Sequence, residues 1–260
     1  MTSFFDIAAK TYDDTFTNTK IGREQRKKVY KNIEHIFSSE KKVNVLELNC
    51  GTGVDAIALA KKGHNIIATD ISEEMIKVAN KKNSYNNLNF EVLDCKKLSK
   101  DSFKKEFDVI FSNFGGLNCL SHEELREFLK MASELLVSKG KLVMVLMPKN
   151  CIWEQLYFFI KGSFKKAQRR KVNEALLVNV NGVQVPTWYF NPKEIIEMSK
   201  VIYTVINYSP VGIVIPPSYL EKSFLTKKPI WNILKIIEKR LSNRFLAKYA
   251  DHFIIELIKK

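Results

Sequence analysis

Val43-Asn44-Val45-Leu46-Glu47-Leu48-Asn49-Cys50-Gly51-Thr52-Gly53 is a short apolar run that meets an acid and then a Gly-x-Gly turn. Residues 54–62 read as a helix, and a second apolar run, Ile66-Ile67-Ala68-Thr69, stops at Asp70. Strand, glycine turn, helix and strand in that order form one parallel unit of a doubly wound α/β sheet. A carboxylate at the tip of the second strand stands where it can accept hydrogen bonds from ribose hydroxyls. Asp70 therefore points to a cofactor that contains adenosine.

The residues around the glycines narrow the cofactor. A dinucleotide site uses a third glycine and sets a pyrophosphate against the helix N-terminus, where free N–H groups favour anions. Here Gly53 is followed by Val54 and Asp55, no third glycine arrives, and Asp55 in the first helical turn would repel a pyrophosphate. Glu47 adds negative charge to the same corner. Such a corner suits a ligand with no phosphate and a positive centre, a description that S-adenosylmethionine meets. Gly51 and Gly53 would let the backbone approach it closely.

The chain has 260 residues, 45% of them hydrophobic, which suits one domain, 1–260, with insertions. Asp6, Lys10, Asp13 and Asp14 break any apolar run at the N-terminus, no stretch approaches a membrane span, and the four cysteines are widely spaced with no metal-ligand pattern. No metal is expected, and the compartment expected is the reducing cytoplasm.

Strands alternate with helices as far as residue 147, which predicts a parallel sheet. Ser72 reads as an N-cap for a helix over 73–82. Strands are expected over 89–93, 107–112 and 141–147, with a helix over 121–137. Beyond Pro148 the rhythm changes. Residues 152–160 are apolar nearly all round, and 176–180, Asn181-Gly182 and 183–190 read as a hairpin. A short helix to Lys200, a strand over 201–208, a long helix over 229–249 and a last strand over 252–258 complete the pattern. The expected architecture is a Rossmann-like, doubly wound sheet of seven strands, mostly parallel with the last antiparallel. Residues 148–190 form a lid insertion after the fifth strand that shapes the acceptor pocket.

On these residues the chain resembles the class I S-adenosylmethionine-dependent methyltransferases over nearly its whole length. Glu47 to Gly53 is similar to the family's first motif, acid-x-Gly-x-Gly-x-Gly, with Asn49 in place of the first glycine. Asn tolerates left-handed backbone better than most residues, so the turn is expected to survive. Asp70 matches the acidic end of the second strand, and Leu93-Asp94-Cys95 resembles the adenine-contacting loop after the third. Phe5 to Ala9 and Tyr12 to Phe16 resemble the entry segment of small-molecule methyltransferases, so 1–38 is read as an N-terminal helical lid. The resemblance implies that Glu47 orients the cofactor's amino group, that Asp94 accepts from the adenine amine, and that the Cys95 N–H reaches a ring nitrogen. It also implies that Tyr12 belongs to a mobile cover. Ile71 and Met75 either sandwich the adenine or are plain core residues.

Other candidates come from position alone. Asn113, at the end of the fourth strand, is expected to face the reacting centre, with Gly115-Gly116 letting the chain pass close by. His122, at a helix start near the same edge, is the candidate general base, against a plain capping position. Lys20 and Arg23 are candidates for the cofactor carboxylate or an acidic acceptor. His64 is expected at the surface.

The balance of 42 basic against 28 acidic residues gives +14. The densest basic run, 161–171, lies inside the lid, and a second lines 222–248. These charges fit an anionic small molecule, an RNA substrate or an anionic membrane surface, the last by way of Trp231, Leu234, Leu241 and Phe245 at helical spacing. The expected activity is methyl transfer to a small-molecule acceptor, hydrophobic, aromatic or anionic. An RNA methyltransferase and a cofactor-binding scaffold without turnover are the alternatives.

Overall fold

The computed structural model describes residues 5–38, 41–180 and 182–260. Its strands are β1 (Asn44–Leu48), β2 (Asn65–Asp70), β3 (Leu88–Val92), β4 (Phe107–Ser112), β5 (Leu136–Leu146), β6 (Leu176–Val180), β7 (Val183–Thr187), β8 (Tyr203–Val211) and β9 (His252–Lys259). Its helices are α1 (Lys20–Phe37), α2 (Val54–Lys61), α3 (Glu73–Lys82), α4 (His122–Leu135), α5 (Ile152–Ile160), α6 (Phe164–Ala167), α7 (Pro192–Ser199) and α8 (Ile230–Arg240). Seven strands make one sheet in the order β3-β2-β1-β4-β5-β9-β8, while β6 and β7 pair with each other. The first five strands are parallel, and β9 runs antiparallel between β5 and β8. This is the doubly wound sheet that the glycine turn implied, with its antiparallel last strand.

Side chains alternate across the sheet, so each strand feeds two cores. Leu46, Leu48, Ile110 and Met144 join Leu125, Phe128 and Leu129 of α4 and Ile195 of α7 on one face. Val45, Val109, Phe111 and Val143 join Val29 and Ile33 of α1 and Leu59 of α2 on the other. The helices start where their caps dictate: Thr19 accepts from Gly22 N, Ser72 from Met75 N, and Ser121 and Asn191 each form a reciprocal box with the glutamate three residues on. Among the described residues no helix is long and apolar enough to cross a membrane.

Several boundaries differ from the sequence pattern. The fourth helix stops at Leu135, not Val137, and β5 begins at once, because Leu136 pairs with Phe107 and buries its side chain. The strand then bulges through a left-handed Lys139 (φ 61°) and rejoins the ladder at Lys141. The long helix expected over 229–249 ends at Arg240. Lys28 of α1 donates to the carbonyls of Glu238 and Leu241 (3.0 and 2.8 Å) and satisfies the helix end, and a 3₁₀ turn, Arg244–Tyr249, follows behind an Asn243 cap. Trp231 is buried against Ile21 and Ile215, so Trp231, Leu234, Leu241 and Phe245 do not form one outward stripe. His64 is buried rather than at the surface, its Nε2 3.3 Å from the Phe37 carbonyl. The hairpin turn residue Asn181 lies outside the described residues.

Gly53 explains itself by packing. Its φ is 78°, and a Cβ there would overlap the Phe90 ring and the Ala79 side chain. The second glycine of the turn thus lets α2 lie close on β3, whereas the notion that it admits a ligand finds no support, since it does not line the cavity described below. Gly53→Ala combines a left-handed backbone penalty with overpacking, and is expected to lower unfolding free energy by about 2–4 kcal/mol in urea titration.

Candidate functional site

The carboxyl ends of the parallel strands open into one cavity of about 530 Å³. Asn49, Gly51, Asp70, Ile71, Met75, Asp94, Cys95 and Asn113 line it, and Tyr12 covers it from the N-terminal segment. These nine sequence-derived site residues therefore share one space. Lys20, Arg23, Glu47, Gly53 and His122 do not line it.

The glycine turn is held from both sides. Asp70 Oδ2 accepts from Gly51 N and Oδ1 from Ser72 N, each at 2.9 Å. Burial pushes the Asp70 carboxyl up, and those two N–H donors work against the rise. Asn49 adopts φ 56°, the left-handed conformation that the missing glycine would have supplied. Its Oδ1 accepts from Ser112 Oγ at 3.1 Å and its Nδ2 approaches Cys95 Sγ at 3.8 Å, so the amide ties the ends of β1 and β4 to the loop after β3. Gly116 makes room for it, since a Cβ there would run into the Asn49 side chain. Above the turn, Thr52 Oγ1 donates to Asp13 Oδ1 at 2.6 Å, and Tyr12 packs over Gly51.

Asp55 is the hub beneath. It accepts from Arg26 Nε (2.9 Å) and Tyr30 OH on Oδ1, and from Asn113 Nδ2 (2.9 Å) on Oδ2. The other end of the Asn113 amide accepts from Phe114 N at 2.9 Å. Both ends of Asn113 are thus occupied, which fixes the start of the β4 loop while Asn113 lines the cavity. Phe114 takes φ 48°, its ring 4.9 Å from Phe16 and stacked by the Arg26 guanidinium at 4.8 Å. Glu47 is buried with its Oε2 unpartnered among the described residues, and burial, reinforced by Asp55, drives its carboxyl well above the usual range.

The basic residue at this corner is Arg26. Arg23 is exposed, and Lys20 Nζ donates to the Thr226 carbonyl at 3.0 Å. The signal was available: Arg26 shares the helical stripe of Val29, Ile33 and Ile36, which are buried, and Arg23 falls off it. His122 sits in a separate cleft, 3.6 Å from Glu194 and against the Phe190 ring, which removes it as a base. The histidine that lines the cavity is His252. Burial raises the Cys95 thiol to about 12 and Cys119 to about 11, so neither is a ready nucleophile.

Sequence reading also missed the far end of the cavity. Glu154, buried on α5, accepts from Arg169 Nε (2.7 Å) and from Arg170 Nε (3.0 Å). Arg170, 6% exposed, stacks on Tyr189 at 4.8 Å and reaches Asp251 at 3.6 Å, while its Nη1 has no partner among the described residues. Asp251 also accepts from Gln25 Nε2 at 3.1 Å and lies 3.2 Å from His252 Nδ1. These residues come from α1, the lid and the start of β9, and no local spacing announces such a meeting.

A family model described as a methyltransferase domain matches residues 45–140. That stretch is similar to methyltransferase domains. Over 112 residues the chain is 40% identical to malonyl-[acyl-carrier protein] O-methyltransferase 2 of Ilyobacter polytropus, a match covering 42% of this chain and 40% of the relative. A malonyl-[acyl-carrier protein] O-methyltransferase of Bacillus cytotoxicus is 31% identical over 134 residues, 50% of this chain and 45% of that one. The chain thus spans less than half the length of these curated relatives. In fold, the chain is similar to the CcbJ methyltransferase of Streptomyces caelestis, with TM-score 0.64, 15% identity and coverage of 98% of this chain and 97% of that one. The magnesium protoporphyrin IX methyltransferase of Synechocystis, solved with bound SAH, gives TM-score 0.56 at 14% identity, covering 93% of this chain and 88% of that one.

The residues present fit S-adenosylmethionine. Asp70 offers a carboxylate at a strand tip, Glu47 leaves a buried oxygen unpartnered, and Asp55 occupies the helix start that a pyrophosphate would need.

The Asp251 carboxyl is held at about 2, below the usual 3.8; burial opposes this, and His252, Arg170 and Gln25 outweigh it. Because the folded value is depressed, its stabilisation is complete above about pH 4 and is lost as pH falls toward 2. Asp251→Asn should therefore cost stability at neutral pH. The gap between wild type and variant should narrow by about 2 kcal/mol between pH 5 and pH 2 in urea titrations.

Proposed function

We propose that this protein transfers a methyl group from S-adenosylmethionine to a carboxylate oxygen of a small acid that also carries an apolar portion. The observation that carries the acceptor class is Arg170 Nη1, a buried cationic donor without a partner among the described residues, on a side chain lining the same cavity as Asp70. An unmade hydrogen bond of this kind is costly, and a carboxylate oxygen is its natural complement. Val178, Val180 and Val185 of the hairpin supply an apolar wall beside it. The relatives named above, whose name gives a malonyl group on a carrier protein as acceptor, fit the same chemistry.

When bound, the cofactor supplies a methyl made electrophilic by the positive sulfur. Asp70 would accept from the ribose hydroxyls, Asp94 and the Cys95 N–H would meet the adenine between Ile71 and Met75, and Glu47 would compensate the positive end from below. Asn49, Gly51 and Tyr12 would border the methionine part. Residues 1–38 and 148–190 would act as two covers of one domain spanning 1–260, excluding water from the reaction. Arg170 would hold the acceptor so that its oxygen lies in line with the methyl, which is a positioning task. A carboxylate is already ionised at neutral pH, so the reaction needs no general base. This agrees with the cavity, where the thiols are held protonated and His252 Nδ1 faces Asp251.

Calorimetric titration should show S-adenosylmethionine and S-adenosylhomocysteine binding, weakened at least thirtyfold in Asp70→Ala, about 2 kcal/mol for the lost charge-assisted bonds. With radiolabelled cofactor, carboxylic acids with acyl or thioester arms should accept the label, while amines, thiols and RNA should not. Arg170→Lys should raise KM for the acid tenfold or more and leave cofactor affinity unchanged. Transfer to a non-acid alone would overturn the acceptor class, and failure to bind cofactor would overturn the whole reading.

A further inference from the structure

Helix α5 exposes apolar side chains that a core helix would bury. Ile152, Leu156, Phe159 and Ile160 are 49%, 49%, 61% and 75% exposed, at spacings that set them on one helical stripe. The opposite face is the packed one: Trp153 Nε1 donates to the Ile213 carbonyl at 3.2 Å, Glu154 is buried under its arginines, and Tyr157 meets Tyr219 at 5.7 Å. Past the helix end the stripe continues into Phe164, 61% exposed, whose ring lies 5.3 Å from Phe159. The chain turns between them at Gly162, around which a Cβ would find open space. The result is an apolar tip with nothing over it among the described residues.

The charge around the tip has one sign. Between Glu154 and Glu174 the sequence holds no acid, and it carries Lys161, Lys165, Lys166 and Lys171 besides the two arginines. Glu154 is consumed by Arg169 and Arg170. The four lysines have no carboxylate partner among the described residues, and Lys161 donates to the Tyr157 hydroxyl at 2.7 Å.

We propose that this tip docks on an anionic lipid bilayer, with Phe159, Ile160 and Phe164 entering the interface and the lysines at the phosphates. Exposed apolar side chains interspersed in sequence with exposed lysines are the composition that an anionic bilayer rewards, since one part gains from burial and the other from the surface potential. A nucleic acid would meet the lysines but leave the aliphatic side chains in water. A second copy of this chain would need about 20–30 residues a side, far more than one helix tip offers. The docking places the lid, whose inner face walls the cavity, against the bilayer. It does not depend on which acceptor is methylated or on turnover.

Co-sedimentation with vesicles tests it. The intact chain should bind vesicles of phosphatidylcholine with a third phosphatidylglycerol at least tenfold more tightly than phosphatidylcholine alone, and high salt should weaken the contact. Phe159→Ser with Ile160→Ser should reduce binding tenfold or more, and Lys165→Glu with Lys166→Glu should remove the preference for anionic lipid. Both variants should keep the circular dichroism spectrum and cofactor affinity of the parent, since these four side chains lie outside the cavity. No binding to anionic vesicles would overturn the proposal. So would binding that the apolar pair of substitutions leaves unchanged, tighter binding to single-stranded RNA, or a dimer in buffer that the same pair dissolves.

Discussion

The Asp55 carboxylate, buried in the first turn of α2, takes hydrogen bonds from Arg26 and Tyr30 of α1 and from Asn113 at the end of β4. A buried charge persists only when it is paired and its remaining lone pairs are met, and here two elements, α1 and the end of β4, supply the partners. The consequence spreads outward. With its Nδ2 held by Asp55, Asn113 turns its Oδ1 to the Phe114 N–H, and Phe114 is carried into a left-handed backbone where its ring meets Phe16, Arg26 and His252. Those rings close the underside of the N-terminal cover. Remove the carboxylate and the guanidinium of Arg26 is left buried without its counter-charge, a loss of about 3–5 kcal/mol for pairs of this kind.

The cavity has two ends of different electrostatic character. At the turn, the acids Asp70 and Asp55, with the buried Glu47 carboxyl beneath them, gather around a single arginine, Arg26, which is paired with Asp55. At the α5 end, Arg169 and Arg170 face Glu154 and Asp251, and one guanidinium nitrogen has no partner among the described residues. A positively charged donor and a negatively charged acceptor would each find the complementary end, which orients the pair before any chemistry. For methyl transfer to an acid, as proposed above, such sorting would supply much of the alignment the reaction needs.

The sheet was legible because its signals are local. The glycine turn, the strand-end acid and the period of the apolar runs each sit within about ten residues, and the parallel order followed from their alternation. The turn itself was legible down to Asn49, since left-handed backbone narrows the choice to few residues. What stayed hidden was whatever needs two distant segments to meet. Nothing near Arg170 names Asp251, and Asn113 gave no hint that Asp55 would claim its amide. Arg26 is different in kind, because the buried stripe of α1 that carries Val29, Ile33 and Ile36 already points to it.

Asn49 and Gly116 show how a departure from a motif can be absorbed. A glycine at position 49 would need no partner, and residue 116 could then carry a side chain. With Asn49 the left-handed backbone costs more, but the amide gains a bond from Ser112 and a contact with Cys95, and the volume it needs is vacated at Gly116. The two positions are therefore one structural unit drawn from separate strand ends, β1 and the loop after β4. Restoring glycine at 49 alone would free the backbone but leave the space beside Gly116 unfilled and the Ser112 hydroxyl, buried at the end of β4, without that acceptor. The turn's shape in this chain is thus a property of the pair, and judging it by the motif's missing glycine alone misreads what holds it.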